Sequence, residues 1–251
     1  MPFRQTILIT GASSGLGAEM ARQFAAGGHN LALCARRTDR LEELKAEILG
    51  RHPDRRVEVR ALDVTDDEQV FAVFRAFREG FGRIDRVVVN AGLGKGAPLG
   101  TGRYDANRQT AMTNFVAALA QTEAAMEIFR AQGEGHLVMV SSMSAMRGMP
   151  KSMTTYAATK AGVAMIAEGL RLELLGKPIV VSVIYPGYIA SEMNEQVAQR
   201  TPLMVSTEKG VRAMVDAIEK EKASACVPAL PWEPMKHLMK LAPLPLLRKL
   251  V

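Results

Sequence analysis

Tyr156 and Lys160 stand four residues apart, a spacing that sets two side chains on one face of a helix about one turn from each other. A phenol titrates near pH 10, and bringing it to about 7 needs roughly 4 kcal/mol of preference for the phenolate. One ammonium at about 4 Å supplies approximately that much at an effective dielectric of about 20. The pair is physically sufficient for a general acid/base. Tyr-x-x-x-Lys is common and carries no weight alone, so its company decides.

That company begins with Thr10-Gly11-Ala12-Ser13-Ser14-Gly15-Leu16-Gly17, which follows an apolar strand-like run and opens a helix. Glycines at such a junction allow a tight turn, let backbone amides approach a pyrophosphate, and let helix pack on strand. The helix N-terminus then meets the anion with unpaired N–H groups and partial positive charge. The next strand ends Leu33-Cys34-Ala35-Arg36-Arg37. An acid after Cys34 would accept hydrogen bonds from ribose hydroxyls, whereas arginine accommodates a 2′-phosphate and can grip it with two parallel hydrogen bonds. NADP(H) is therefore the expected cofactor.

These residues need elements to hold them. Short β-rich runs alternate with helix-period segments, the pattern of βαβ units around a parallel sheet. Strands are expected near Thr6 to Thr10, Asn30 to Ala35, Val57 to Leu62, Arg86 to Asn90, His136 to Ser141, Ile179 to Tyr185 and Ala225 to Val227. Most are apolar on both faces, as strands covered on both sides should be. Leu16, Met20 and Phe24 share a helix face, with Gly27-Gly28 as a left-handed stop. Thr38 is expected to cap a helix carrying Leu41, Leu44 and Ile48 and ending at Gly50. Thr65 with Glu68 reads as a capping box before Val70, and Thr207-Glu208 opens a helix with Val211, Met214 and Ile218 inward. The fold class is α/β: one Rossmann-type domain over residues 1–251, a doubly wound parallel β-sheet with helices on both faces.

With 48% hydrophobic and 23% charged residues, the chain fits a globular protein and neither a disordered nor a fibrous one. No run approaches the roughly 18 apolar residues of a membrane-crossing helix. Met1 to Thr6 leads into the first strand without a secretory pattern. Cys34 and Cys226 alone make no disulfide framework, so a cytoplasmic setting is expected. The net charge of +6 raises nucleic acid as a partner, but aromatics are only 5% and the cluster Arg51, Arg55, Arg56, Arg60 is diluted by Asp54 and Glu58. No nucleic-acid partner is expected. Lys236, Lys240, Arg248 and Lys249 carry four of the six net charges, with no acid between 236 and 251.

The glycine loop, Asn90-Ala91-Gly92, Asn114, the serines between Ser141 and Ser144, Tyr156-Ala157-Ala158-Thr159-Lys160 and Pro186-Gly187 follow one another over residues 6 to about 193. In this order and spacing the chain resembles the short-chain dehydrogenase/reductase (SDR) family. The resemblance implies an NADPH-dependent oxidoreductase that reduces a ketone or aldehyde, or runs the reverse alcohol oxidation. It implies that Tyr156 protonates the carbonyl oxygen as hydride arrives from the nicotinamide, that Lys160 also holds the nicotinamide ribose, and that Asn114 orders a water relay behind Lys160. A serine hydroxyl should bind the substrate oxygen. The family usually places it 13 residues before the tyrosine, where this chain has Met143. Ser142 is favoured because it ends the fifth strand together with Ser141, and Ser144 is the alternative.

The cofactor-binding set implied is Gly11, Ser13, Ser14, Gly15, Leu16 and Gly17 at the phosphates, Arg36 and Arg37 at the 2′-phosphate, and Asp63 and Val64 at the adenine. Asn90, Ala91 and Gly92 line the groove, and Pro186, Gly187, Ile189 and Ser191 meet the carboxamide beside Tyr156 and Lys160. No metal site is expected, and a homodimer or homotetramer is. The other class of reading is a catalytically silent NADP-binding regulator or scaffold, which has no need to keep Asn114, Tyr156 and Lys160.

Residues 192–207 are expected as a lid over the substrate. Met193, Val197, Leu203 and Met204, with Met143, Met146, Met149 and Met153 as further candidates, suit an adaptable pocket for a bulky apolar carbonyl. Residues 227–251 form a basic amphipathic extension in which Met235, Leu238, Met239 and Leu241 alternate with Lys236, His237 and Lys240, before Leu244, Leu246, Leu247 and Leu250. Pro243 and Pro245 limit it to short helical pieces. Such a segment can pack on its own chain, join subunits, cover the cleft, or lie peripherally on an anionic membrane.

Overall fold

A computed structural model describes residues 3–192 and 203–250. Its sheet is seven parallel strands: β1 (Thr6–Thr10), β2 (Asn30–Ala35), β3 (Val57–Ala61), β4 (Arg86–Val89), β5 (Gly135–Val140), β6 (Ile179–Pro186) and β7 (Ser224–Val227), in the order β3-β2-β1-β4-β5-β6-β7. The chain winds outward from β1 to β3, then returns to lay β4 on the other side of β1. That reversal opens a crevice at the carboxyl ends of β1 and β4, where ligands bind in open α/β sheets.

The helices are α1 (Gly15–Ala26), α2 (Thr38–Arg51), α3 (Asp67–Phe81), α4 (Tyr104–Ala111), α5 (Ala117–Gln132), α6 (Met153–Glu173), α7 (Thr207–Glu219), α8 (Ala229–Leu241) and α9 (Leu244–Leu250). A π turn, Met112–Val116, joins α4 to α5, and a 3₁₀ turn, Met143–Met146, follows β5. Side-chain alternation builds both layers. Ile7, Ile9, Leu31 and Leu33 face α1, α2 and α7 through Phe24, Leu41 and Met214. Leu8, Ala32, Val87 and Val89 face α3, α5 and α6 through Phe74, Phe129 and Val163.

The strands fall where periodicity puts them to within a residue or two, but several helix ends differ. Thr38 is the first residue of α2 rather than its cap, and the helix runs past Gly50 to Arg51. Gly27 is right-handed and only Gly28 takes positive φ. In place of the Thr65 capping box, Asp66 accepts from the Gln69 amide at 3.0 Å and Thr65 donates its hydroxyl to Asp63 at 2.7 Å. Aspartate and threonine are both good caps, and Thr65 is already engaged by Asp63. Ser206 caps α7, while Thr207 donates to the Ala190 carbonyl at 2.7 Å.

Met143 and Met146 are buried against Cys226, Trp232 and Met239, so they fill the seam between the 3₁₀ turn and α8. Met193 and Val197 lie outside the described residues. The arginine cluster disperses within the chain: Arg56 pairs with Glu58 and lies 4.4 Å over the Phe81 ring, Arg51 pairs with Glu47, and Arg60 lies 5.3 Å over Phe77.

Candidate active site

The two strand ends at the crevice are locked by one side chain each. Thr10 Oγ1 accepts from the Asn90 and Ala91 amides at 3.1 Å, and Asn90 Nδ2 returns a bond to the Thr10 carbonyl at 3.0 Å. The loop after β1 then turns through Gly11 and Gly15, both at positive φ. A Cβ on Gly11 would lie 2.9 Å from Ala91 Cα, and one on Gly17 would lie 2.3 Å from the Gly11 carbonyl oxygen. Glycine is required there by backbone contact as much as by backbone freedom.

Above this junction lies a cleft of about 1030 Å³. Gly11, Ser13, Ser14, Gly15, Leu16, Gly17, Arg36, Arg37, Asp63, Val64, Asn90, Ala91, Gly92, Ser142, Tyr156, Lys160, Pro186, Gly187, Ile189 and Ser191 all line it. Residues expected from seven separate segments thus meet in one space. The expected acid-free end of β2 lies there too, with Ala35 beside Arg36. Arg37 reaches back to the loop, donating to Ser14 Oγ at 2.6 Å and Ser13 Oγ at 3.3 Å, and it meets Glu192 at 3.4 Å. Glu192 also pairs with Arg40 at 2.7 Å, and the two guanidiniums hold its carboxyl below the usual range despite partial desolvation. Asp63 is likewise held low, first by the Thr65 amide and more weakly by Arg36.

At the other end, Ser141 is buried and donates to the Lys160 carbonyl at 2.7 Å, fastening α6 to β5. Lys160 Nζ donates to the Val140 carbonyl at 2.9 Å, and burial pulls its ammonium down to about 8. Its Nζ is 5.9 Å from the Tyr156 ring centroid. Burial raises the Tyr156 phenol, and a hydrogen bond with Ser142 opposes that rise. The Lys160 ammonium is turned toward the Val140 carbonyl. Ser142 in turn accepts from the Ser144 amide and hydroxyl at 3.2 and 3.0 Å. Ser142 lines the cleft and meets Tyr156, whereas Ser144 is buried behind it.

Asn114 sits buried in the π turn with both side-chain atoms engaged by one residue. Its Oδ1 accepts from the Leu93 amide and its Nδ2 donates to the Leu93 carbonyl, each at 2.8 Å. It clamps the loop after β4. A Cβ on Gly92 would come within 3.2 Å of Asn114 Oδ1 and 3.5 Å of Lys160 Nζ, so the glycine keeps open the space over the lysine. The segment after β6 is pinned by Ile189 packed on Gly210 and by the Ala190 and Val205 amides bonded to Val205 and Tyr188 carbonyls at 3.0 Å.

Sequence reasoning missed one wall. Tyr104, Asp105, Arg108, Gln109, Met112 and Thr113 also line the cleft. They stand on α4 and the π turn, where the polar run Tyr104 to Gln109 offers no apolar stripe to read. The one available signal was position, since this run lies between two recognised motifs, Asn90-Ala91-Gly92 and Asn114.

A seven-stranded parallel sheet with a cleft of this composition at its switch point defines a dinucleotide-binding α/β protein. A family model for short chain dehydrogenase matches residues 5–202. An uncharacterized oxidoreductase of Mycobacterium tuberculosis is 54% identical over 246 residues, 98% of this chain and 97% of the relative. A short-chain dehydrogenase from Sphingobium yanoikuyae, solved in complex with NADPH, superimposes with a TM-score of 0.82 at 28% identity, covering 93% of this chain and 92% of that one. The bulky-bulky ketone specific alcohol dehydrogenase from Comamonas testosteroni gives a TM-score of 0.79 at 28% identity, covering 93% and 90%. The chain belongs to the short-chain dehydrogenase family and is an oxidoreductase of that family.

Proposed function

We propose that the protein is an NADPH-dependent reductase of ketones or aldehydes, competent in the reverse alcohol oxidation, with Tyr156 as its general acid/base. One observation carries this reading: Ser142, Tyr156 and Lys160 converge at one end of the same cleft whose other end holds the glycine loop and Arg36. The residues fit a dinucleotide. The glycine loop packs without Cβ atoms on Ala91 and on its own Gly11 carbonyl, Gly92 keeps the space over Lys160 open, and Arg36 with Arg37 supplies cations where an acid would favour NAD. That both solved neighbours above are 28% identical, one with NADPH bound and one named for bulky ketones, supports the same choice.

When bound, the nicotinamide supplies the hydride. Tyr156 Oη gives its proton to the carbonyl oxygen, and Ser142 Oγ donates a hydrogen bond to that oxygen as charge develops. Lys160, its Nζ fixed by the Val140 carbonyl, supplies positive charge to the site and orients the ribose. Asn114 acts as a positioning residue that sets Leu93 and hence the wall formed by Asn90, Ala91 and Gly92. Gly11 to Gly17 receive the phosphates, Asp63 and Val64 the adenosine, and Pro186, Gly187, Ile189 and Ser191 the carboxamide. Of the expected lid, residues 192–207, positions 193–202 lie outside the described residues. The buried thiols Cys34 and Cys226 support a reducing, cytoplasmic setting. Exposed Leu119 on α5 and Met165 and Leu172 on α6 support assembly as a homodimer or homotetramer.

NADPH absorbance, followed with acyl thioesters, steroids, quinones and aliphatic aldehydes, tests the reading. Turnover of one class, with kcat/KM for NADPH above that for NADH, is expected. Intact NADPH binding without turnover across the panel would favour the silent regulator.

A further inference from the structure

The segment that follows β7 has two unlike faces. Toward the protein, Trp232, Met239, Ala242 and Leu247 are buried, the first two against Met143, Met146 and Cys226. Trp232 also stands edge-on to Tyr188, ring centroids 5.3 Å apart, and its indole occupies the space a Cβ on Gly187 would need. Arg147 donates to the Lys240 and Ala242 carbonyls at 2.7 and 3.2 Å. It thereby satisfies carbonyls left open at the end of α8 and fixes the bend into α9. The inner face therefore holds the two helices in a defined position.

Away from that face, Leu238 and Leu241 on α8 and Leu244 and Leu246 around α9 are all exposed, with Leu241 at 83% and Leu244 at 69%. Exposed Pro243 and Pro245 lie between them, and exposed Lys240 and Arg248 flank them. Lys236 is paired with Glu233 at 3.4 Å, but Lys240 and Arg248 have no acidic partner among the described residues. No acid occurs between residues 236 and 251. Exposed leucines grouped this way mark an interaction surface, and their unbalanced cations select an anionic one. A two-fold contact with a second copy would set this patch against itself and bring like charges together.

We propose that the outer face of α8 and α9 docks the protein on an anionic lipid bilayer, with the leucines at the acyl boundary and Lys240 and Arg248 at the headgroups. The geometry is that of helices lying in the interface plane, since no helix among the described residues is long and apolar enough to cross a membrane. The inner face packs on the 3₁₀ turn that begins after Ser142, so docking sets α8 between that turn and the bilayer.

The test uses the full chain and vesicles without substrate or cofactor, so it does not depend on the proposed reaction. The protein is expected to co-sediment with phosphatidylcholine vesicles containing phosphatidylglycerol, and not with phosphatidylcholine alone, with binding weakened by salt. Each cation near an anionic surface contributes about fivefold to partitioning, so Lys240→Glu/Arg248→Glu should lower it by more than about tenfold. Leu241→Ser/Leu244→Ser should lower it as well, and because both positions are exposed, unchanged circular dichroism is expected. Failure of the intact chain to bind the anionic vesicles, or binding that both double variants leave unchanged, would overturn the proposal. So would absence of vesicle binding together with a smaller assembly of the variants in light scattering, which would make the face a contact between copies.

Discussion

Tyr156 is held by two opposing influences, burial that keeps the phenol protonated and a hydrogen bond with Ser142 that favours the phenolate. A protonated phenol beside a hydrogen-bonding serine is the arrangement a carbonyl reduction needs at its start. Tyr156→Phe should lower kcat by about 10²–10⁴-fold while NADPH binding, followed by fluorescence, stays within a few-fold of the parent. Ser142→Ala should lower kcat, and Ser144→Ala should lower it less, because Ser144 acts only by orienting Ser142. A loss confined to Ser144→Ala would contradict that order. Arg36→Ala should reduce kcat/KM for NADPH by about tenfold or more, the worth of a charge-assisted hydrogen bond, with little change for NADH. At this scale the sequence named the reacting side chains but not their partners. Asn114 shows why: its position is recognisable, yet only the fold reveals that both amide atoms go to Leu93.

Elements position these groups through close contacts that tolerate few substitutions. Gly187 is the clearest case, because a Cβ there would lie 2.1 Å from the Trp232 indole. Gly187→Ala should destabilise the protein, and Trp232→Ala in the same chain should recover part of the loss, a coupling of about 0.5 kcal/mol or more by denaturant titration. Additive effects would show that the tail helix does not bear on the segment after β6. Strand positions were legible because apolar runs bounded by turn residues are local signals. The π turn and the cleft wall from α4 were not, since neither has a hydrophobic period. Thr65 and Asp66 are both good caps for α3, and only the fold shows Thr65 engaged by Asp63 and Asp66 left to cap. For residues 227–251 the limit is similar: an amphipathic pattern shows that one face is covered, not by what.

Across the whole molecule, the pole opposite the cleft holds a buried network of charge. Arg86, 1% exposed, donates to His136 Nδ1 at 2.9 Å and pairs with Glu219, while His136 Nε2 meets Ser182 Oγ at 2.8 Å. His29 Nδ1 meets the Arg4 carbonyl at 2.7 Å. Desolvation holds His29 below the ordinary imidazole value of 6.5, and desolvation with the nearby Arg86 and Arg4 holds His136 well below it. The folded chain therefore refuses protons that the unfolded chain accepts as pH falls below about 6.5. Stability should be full above that pH and decline below it, by up to about 1.4 kcal/mol per pH unit for each histidine. His136→Gln should flatten the decline in urea titrations between pH 6.5 and 5, and an unchanged slope would contradict the assignment.

The surplus charge that first suggested nucleic acid is divided between two other places, the cations at the end of β2 and the outer face of α8 and α9. The first of these and the tyrosine that shares its cleft carry the proposed reaction. Its most direct test is single-turnover oxidation of NADPH by the purified protein with a reducible carbonyl from the panel, run beside Tyr156→Phe at saturating cofactor. The account predicts loss of NADPH absorbance in the parent and about 10²–10⁴-fold slower loss in the variant. Equal rates in the two proteins would contradict it.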